Sequence, residues 1–301
     1  LVGADQQAGQ TRYRLLETLR AYAAEQLAEA AEMEAAHAAH ARFFLAWSGE
    51  LFSGLLGDDQ VAWMQHGLAD HANCLAALRW ALAEGDGQTA IALAGNLWWF
   101  WYRRGLFELG QELLQTALQL TTPDLSARAR ALNGLASIYL AQDDYAGSLA
   151  CHEEGLALRR QLGDALGIAT ALHNMGLTAY MMGDYQQAID WLRASIDADP
   201  TADPAQAWAN IGVVALDMQD SAQARQWLER AHAQVMAEPA GWIQAFVQHN
   251  LADVLYEQGD LAGAKPMALA SLQLFEALGD SHYLPDPQLL LARIALDQGD
   301  T

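Results

Sequence analysis

The sequence predicts an all-α fold, an α-solenoid of stacked helical hairpins, and three observations carry that prediction. First, a turn-forming dipeptide recurs, as Asp143-Asp144, Gly183-Asp184, Gln219-Asp220, Gly259-Asp260 and Gly299-Asp300, at intervals of 40, 36, 40 and 40 residues. Gly85-Asp86 has the same composition, and a degenerate copy, Gly105-Leu106, lies 38 residues before Asp143. Second, apolar residues on both sides of each dipeptide follow a helical period. Leu132, Leu135, Ala136, Tyr139 and Leu140 form one stripe before the turn, and Tyr145, Ser148, Leu149, His152 and Leu156 form another after it. Third, small residues sit mid-helix on the two sides of each turn: Ala136, Gly176, Gly212 and Ala252 before it, and Ser148, Ala188, Ala224 and Ala264 after it. Two short amphipathic helices cannot bury their faces alone, whereas stacked neighbours make a continuous core.

The elements follow in chain order. Leu1 and Val2, a polar Gly/Gln-rich loop, and then Arg12 to Leu15 with Tyr13 and Leu15 alternating predict the remnant of a β-hairpin. A long helix is expected from about Leu16, carrying Leu16, Leu19, Ala23 and Leu27. From residue 86 to 301 the repeat predicts about five to six hairpins, the last one truncated after Thr301. Within each turn, glycine suits the left-handed residue that closes the first helix. The aspartate suits the N-cap of the second, where its carboxylate accepts an otherwise unpaired amide hydrogen.

Composition narrows the function. With 16 cations against 37 carboxylates the net charge is −21, and Lys265 is the sole lysine. Phosphate contact needs clustered cations, so direct nucleic-acid binding is not expected. Hydrophobic residues make up 52%, enough for a packed core. The densest apolar stretch, Leu97 to Tyr102, is far too short to span a membrane. Residues 1–10 have neither the cationic nor the apolar part of a secretory signal. Two cysteines, Cys74 and Cys151, build no disulfide framework, and a reducing cytoplasmic setting is expected. The chain starts without a methionine and reads as a C-terminal fragment of a longer polypeptide.

The stretches LNGLASIYLAQDDYAGSLACHEEGLAL, LHNMGLTAYMMGDYQQAIDWLRASI and LADVLYEQGDLAGAKPMALASLQL resemble tetratricopeptide repeats. The resemblance implies a right-handed superhelix with a concave ligand groove. The string RYRLLETLRAYAAEQL, with HAAHARFFLAWSGEL, NCLAALRWALAEGD and LWWFWYRRG after it, is similar to the segment that joins a winged-helix module to the repeat array in STAND-type signalling ATPases. Those are bacterial transcriptional regulators of LuxR-like or SARP-like architecture. The likeness implies a winged-helix remnant at 1–15, a helical adaptor at 16–85 and a repeat array at 86–301, with a nucleotide-binding domain upstream in the parent chain. No glycine-rich Walker A string occurs, so ATP binding by these residues is not expected.

By the same resemblance, Asn174, Asn210 and Asn250, each two residues before the small residue of a first helix, are candidates for binding an extended peptide. Their alternative role is to brace the neighbouring hairpin. Arg130, His173, Tyr180, Phe246, His249, Asp253 and Tyr256 are expected near that face. The face carries no lysines of the kind that clamp an acidic C-terminus, which leaves a mixed polar and aromatic groove for a peptide, a protein or a small-molecule inducer.

The remaining motifs read as structural. The run Trp98, Trp99, Phe100, Trp101 and Tyr102 is hydrophobic on most sides and is expected in a core rather than in a cofactor box. Arg103 and Arg104 favour the carbonyl pole of its helix. His37 and His40 are three apart but lack the order of a hydrolytic zinc motif, and His66 and His71 are five apart, so no metal site is expected. No serine stands in a G-x-S-x-G elbow, the cysteines have no catalytic partner pattern, and the pairs Asp58/Asp59 and Glu153/Glu154 read as solvated faces. The expected role is therefore recognition without enzymatic activity or cofactor: a sensor arm. The alternative is a passive scaffold that self-associates through its last helix.

Overall fold

In the computed structural model the described residues are 2–7, 10–57, 59–237, 241–280 and 283–299, with side-chain surroundings from residue 16 onward. Leu1, Asp58, Asp300, Thr301 and the side chains of Tyr13 and Leu15, which figure in the sequence reading, lie outside this set. Among the described residues two strands and fourteen helices follow one another, and the chain divides into two units, 1–162 and 163–301.

In the first unit β1 (Val2–Gln7) and β2 (Gln10–Leu15) pair antiparallel with Val2 opposite Leu15 and Gln7 opposite Gln10. The strands are longer than the sequence suggests, because Gly3 to Gln7, expected as loop, lie in the ladder. A backbone ladder closed across so few residues does not require apolar alternation. The long helix expected from Leu16 is two: α1 (Glu17–Glu29) ends before Ala31, whose φ is +57°, and α2 (Met33–Leu56) begins again. No residue of α1 is buried.

Five further helices complete this unit: α3 (Gln60–Ala83), α4 (Gly87–Arg103), α5 (Phe107–Leu118), α6 (Leu125–Ala141) and α7 (Tyr145–Leu162). They form the hairpins α2/α3, α4/α5 and α6/α7, and the leading helices α2, α4 and α6 pack successively on one another. The core of this unit is aromatic, with Phe44, Trp98, Phe100 and Trp101 buried among Leu51, Leu55, Leu114 and Ile138. The packing role expected for the Trp98 to Tyr102 run is therefore met, Trp101 being 0% exposed. Trp99 and Tyr102 stack on each other at 5.4 Å at the edge of that core.

The second unit contains α8 (Ala165–Met181), α9 (Tyr185–Ala198), α10 (Ala205–Asp217), α11 (Ser221–Val235), α12 (Trp242–Glu257), α13 (Leu261–Leu278) and α14 (Pro285–Gln298). It forms the hairpins α8/α9, α10/α11 and α12/α13, with α14 against α13 and α12. Its core interleaves alanines with leucine, valine and isoleucine. Ala188, Ala224, Ala252 and Ala264 are fully buried, as the close approach of paired helices requires. A Cβ on Gly212 would lie 2.6 Å from Cγ of Leu228, so any larger side chain there must push the hairpin open.

One turn geometry closes the hairpins from α4/α5 onward. The second residue after the leading helix is left-handed (Gly105, Asp143, Gly183, Gln219 and Gly259). The next residue donates its amide to a carbonyl near the end of that helix, at 2.9 Å in all five turns, for example Asp184 to Ala179. The same aspartate then caps the trailing helix: Asp144, Asp184, Asp220 and Asp260 accept from the amides of Gly147, Gln187, Gln223 and Gly263. Leu106 has no side chain for this, and α5 is uncapped. Asp86, Asp124 and Asp164 cap α4, α6 and α8 in the same way.

Two substitutions test this turn. Gln219, held at φ +62°, carries a left-handed penalty of about 1 kcal/mol, so Gln219→Gly is expected to raise the urea midpoint, and an unchanged midpoint would contradict the strain. Gly183 at φ +78° has open space around its Cβ position, so Gly183→Val is expected to lower the melting temperature through backbone strain alone.

Candidate functional site

The leading helices share a register set by the left-handed residue. Nine positions before it stand Asn96 in α4, Asn174 in α8, Asn210 in α10 and Asn250 in α12. Asn96 is a fourth member that the sequence reading missed, since its turn is the degenerate Gly105-Leu106. In α6 the place is taken by Gly134, where a Cβ would lie 2.4 Å from Cγ of Trp98.

Shared register does not mean shared surroundings. Asn96 is buried and donates to Oγ of Ser48 at 3.0 Å, while its Oδ1 accepts from the guanidinium of Arg130. Arg130 also lies over the Phe52 ring at 5.2 Å. Ser48, Asn96 and Arg130 thus thread α2, α4 and α6 together. Asn250 is buried and donates to the carbonyl of Phe246 at 2.8 Å, within its own helix. Asn210 is half-buried and its Nδ2 lies 3.1 Å from Nε2 of His173. An amide nitrogen can only donate, so Nε2 is the acceptor and the imidazole proton resides on Nδ1.

Two of the tyrosines belong to a second register. Tyr180 donates to Asp217 at 2.6 Å and Tyr256 donates to Asp297 at 2.7 Å, each linking one leading helix to the next. Burial and the Asp217 carboxylate push the Tyr180 phenol up, and the bond to Asp297 does the same for Tyr256. Arg293 covers the Tyr256 ring at 4.7 Å. Phe246 stacks on Trp242 at 5.1 Å. His249 lies 3.3 Å from Asp253, and its buried Nδ1 has no hydrogen-bond partner. Burial raises the Asp253 carboxyl against the opposing pull of His249 and Arg293.

Of the ten residues singled out in the sequence, His173 and Asn174 line a cavity of about 320 Å³ between α8, the end of α9 and the start of α10. Its origin is local. Asp199, followed by Pro200, adopts φ −137° and ψ 88° and stops α9, as a residue before proline is steered out of the helical region. At 14 residues, α9 is four shorter than α13, a little over one turn. The connection 199–204 then crosses the gap. It is shaped by Asp199, which accepts from the amide and hydroxyl of Thr201, and by Asp203, which accepts from the amide of Ala205. Leu166, Leu177 and Ile196 supply apolar wall, and Thr170, Ser195, Asp199 and Asp203 supply polar lining. Sequence reasoning passed over the last four because none lies in the repeat's binding register, although the DPTADP string that ends α9 was readable.

His37, His40 and the two cysteines serve packing. His37 stacks against Trp80, and His40 packs at a tilt on Phe44. Burial pushes the Cys74 thiol up to about 12 and the half-buried Cys151 thiol up to about 11, so both are protonated at neutral pH. The second unit also contains an unforeseen ladder in which the Arg230 guanidinium lies 4.6 Å from the Trp208 ring and 4.9 Å from that of Trp227, with Arg193 on Trp227 at 5.6 Å.

Comparison with known proteins agrees with this geometry. Tetratricopeptide-repeat profiles match residues 127–201, 205–231 and 247–283, so the chain carries tetratricopeptide repeats. Repeats of this kind form protein-interaction scaffolds and are typically non-enzymatic. Over 188 residues, 60% of this chain, it is 29% identical to "Putative HTH-type transcriptional regulator Mb0914c" of Mycobacterium bovis. The match spans about a fifth, 21%, of that regulator's length. Among solved structures, BtubC (BKLC) from P. vanneervenii superposes with a TM-score of 0.55 at 16% identity, covering 80% of this chain and 93% of that one. The pilF protein of Pseudomonas aeruginosa gives a TM-score of 0.53 at 21% identity, covering 73% and 87%. These two likenesses establish the fold. No helix among the described residues is long and apolar enough to cross a membrane.

Burial holds the His173 imidazole down to about 4, and burial with a contribution from Arg159 does the same for His152. Both folded values lie below the ordinary 6.5, so the unfolded chain takes up protons first as pH falls. The stability they confer is complete above about pH 6.5 and is expected to be lost progressively toward pH 4. Two-dimensional NMR is expected to find both imidazoles neutral at pH 5.5, and His173→Gln is expected to flatten the fall of the melting temperature across that window. An imidazole titrating near 6.5 would contradict its burial.

Proposed function

We propose that the chain is the recognition and sensor arm of a STAND-type signalling ATPase, with 1–15 the remnant of a winged-helix module, 16–85 a helical adaptor and 86–301 the repeat array. A protein, peptide or small ligand is captured in the trough between α8 and α10. The observation that carries this reading is the cavity where α9 stops short, because it brings His173 and Asn174 to an accessible wall while Asn210 fixes the His173 ring. Of the other predicted residues, Arg130, Tyr180, Asn210 and Tyr256 bond to a neighbouring leading helix, whereas Phe246, His249, Asn250 and Asp253 make contacts within α12. Likeness to the mycobacterial regulator supports a place in transcription control, and the RYRLLETLRAYA string supports the ATPase class. A ligand biases an upstream nucleotide switch only by its difference in affinity between two states, typically about 1 to 3 kcal/mol.

Replacing Asn174 and Asn210 together by Ala is expected to keep the helical circular dichroism while reducing partner capture at least fivefold. Equal capture by the double variant and the parent would place recognition elsewhere.

A second reading, a self-associating scaffold, draws on α14. Ala292 stands 40 residues after Ala252 in the same register, but Ala252 is fully buried against α13 and Ala292 is exposed. Leu289 and Leu296 flank it, 64% and 67% exposed. Sedimentation velocity is expected to show concentration-dependent dimers that Leu289→Glu with Leu296→Glu abolishes. A monomer at every concentration would remove this reading.

A further inference from the structure

We propose that the cavity between α8 and α10 receives a basic side chain, an arginine, presented by an extended segment of a partner protein. The proposal rests on the reading of the trough as the recognition site and adds the class of group it takes.

The lining determines what a ligand must offer. Thr170 donates its hydroxyl hydrogen to the carbonyl of Leu166 at 2.9 Å, and Ser195 donates its own to the carbonyl of Leu192 at 2.7 Å. A hydroxyl has a single proton, so both oxygens have only lone pairs left to present. Asp199 and Asp203 line the loop wall, each using one carboxylate oxygen on local turn hydrogen bonds. The hydrogen bonds from Thr201 hold the Asp199 carboxyl below its ordinary range, so it is ionised at neutral pH. No lysine or arginine lines the cavity, and His173 is kept neutral by burial. The wall thus offers a majority of acceptors and two negative charges, the amides of Asn174 and Gln206 being able to donate as well as accept, so a cationic group rich in donors matches it best.

Shape points the same way. Leu166 and Ile196 provide apolar wall for an aliphatic stem, and the carboxylates stand on the connection that closes the α9 end. A long stem ending in a hydrogen-bond-rich cation matches both parts. Guanidinium suits the site better than ammonium, since five N–H groups in a fixed fork can serve several acceptors at once. The net charge of −21 favours approach of a basic partner in general, but the acceptor set localises it.

The test uses the whole chain and capped tripeptides Ac-Ala-Xaa-Ala-NH2 with Xaa arginine, lysine, citrulline, leucine or glutamate, followed by amide chemical shifts. The arginine peptide is expected to move the amides of 166–177 and 199–207 and to bind at least tenfold more tightly than the leucine and glutamate peptides. Citrulline, which keeps N–H donors without the charge, is expected between them. Asp199→Asn with Asp203→Asn preserves the acceptors for Thr201 and Ala205, and is expected to weaken the arginine peptide at least tenfold. Glu108→Gln with Glu112→Gln, an equal charge change on α5, is expected to weaken it less than twofold. Equal loss in the two double variants would reduce the effect to net charge and overturn the proposal. Leucine binding as tightly at the same amides, blocked by Ala169→Phe, would keep the trough and overturn the basic ligand. If no peptide moves the α8 amides, both the basic ligand and the trough reading fall.

Discussion

The structure depends on one aspartate in a tight turn. In each of the hairpins from α6 to α13 that residue donates its amide to the helix that ends and accepts, through its carboxylate, an amide of the helix that begins, for example Asp184 between Ala179 and Gln187. One residue satisfies polar groups at two helix ends that would otherwise be left unpaired. It also sets the phase between the two helices, because the left-handed residue before it allows one reversal only. With the phase set, small residues such as Ala188 and Gly212 face their partners and the backbones approach closely.

That phase creates registers along the leading helices. Positions counted back from the left-handed residue fall on equivalent places in successive leading helices, which is how Tyr180 and Tyr256 come to bond Asp217 and Asp297 in the same manner. The register also places Asn174, Asn210 and Asn250 at equivalent positions of α8, α10 and α12. Most of these polar groups bond inside the array. The exception arises where regularity fails: α9 is cut short before Pro200, and the space that its missing turn would fill becomes the cavity beside His173 and Asn174.

The two units use the same hairpin with different cores. In the first, Trp98, Phe100 and Trp101 fill the space between helices, and glycines such as Gly134 make room for the rings. In the second, alanines are interleaved with leucines, valines and isoleucines, and the partly buried Trp208 and Trp227 stack with Arg230 at the edge of the core.

By itself the sequence determined the helical hairpins, their turns and their caps, down to the left-handed Asp143 and the capping carboxylate of Asp144. Those features arise from contacts within a few residues of each other and are repeated often enough to be read as a period. It marked His173, Asn174, Asn210 and Asn250 as equivalent or adjacent. Tertiary structure alone decided that Asn250 turns back on its own helix, that Asn210 holds His173, and that a cavity opens beside Asn174. The reason is physical: what surrounds a side chain depends on the length of the next helix and on groups some 37 positions away, and a local pattern does not encode those distances.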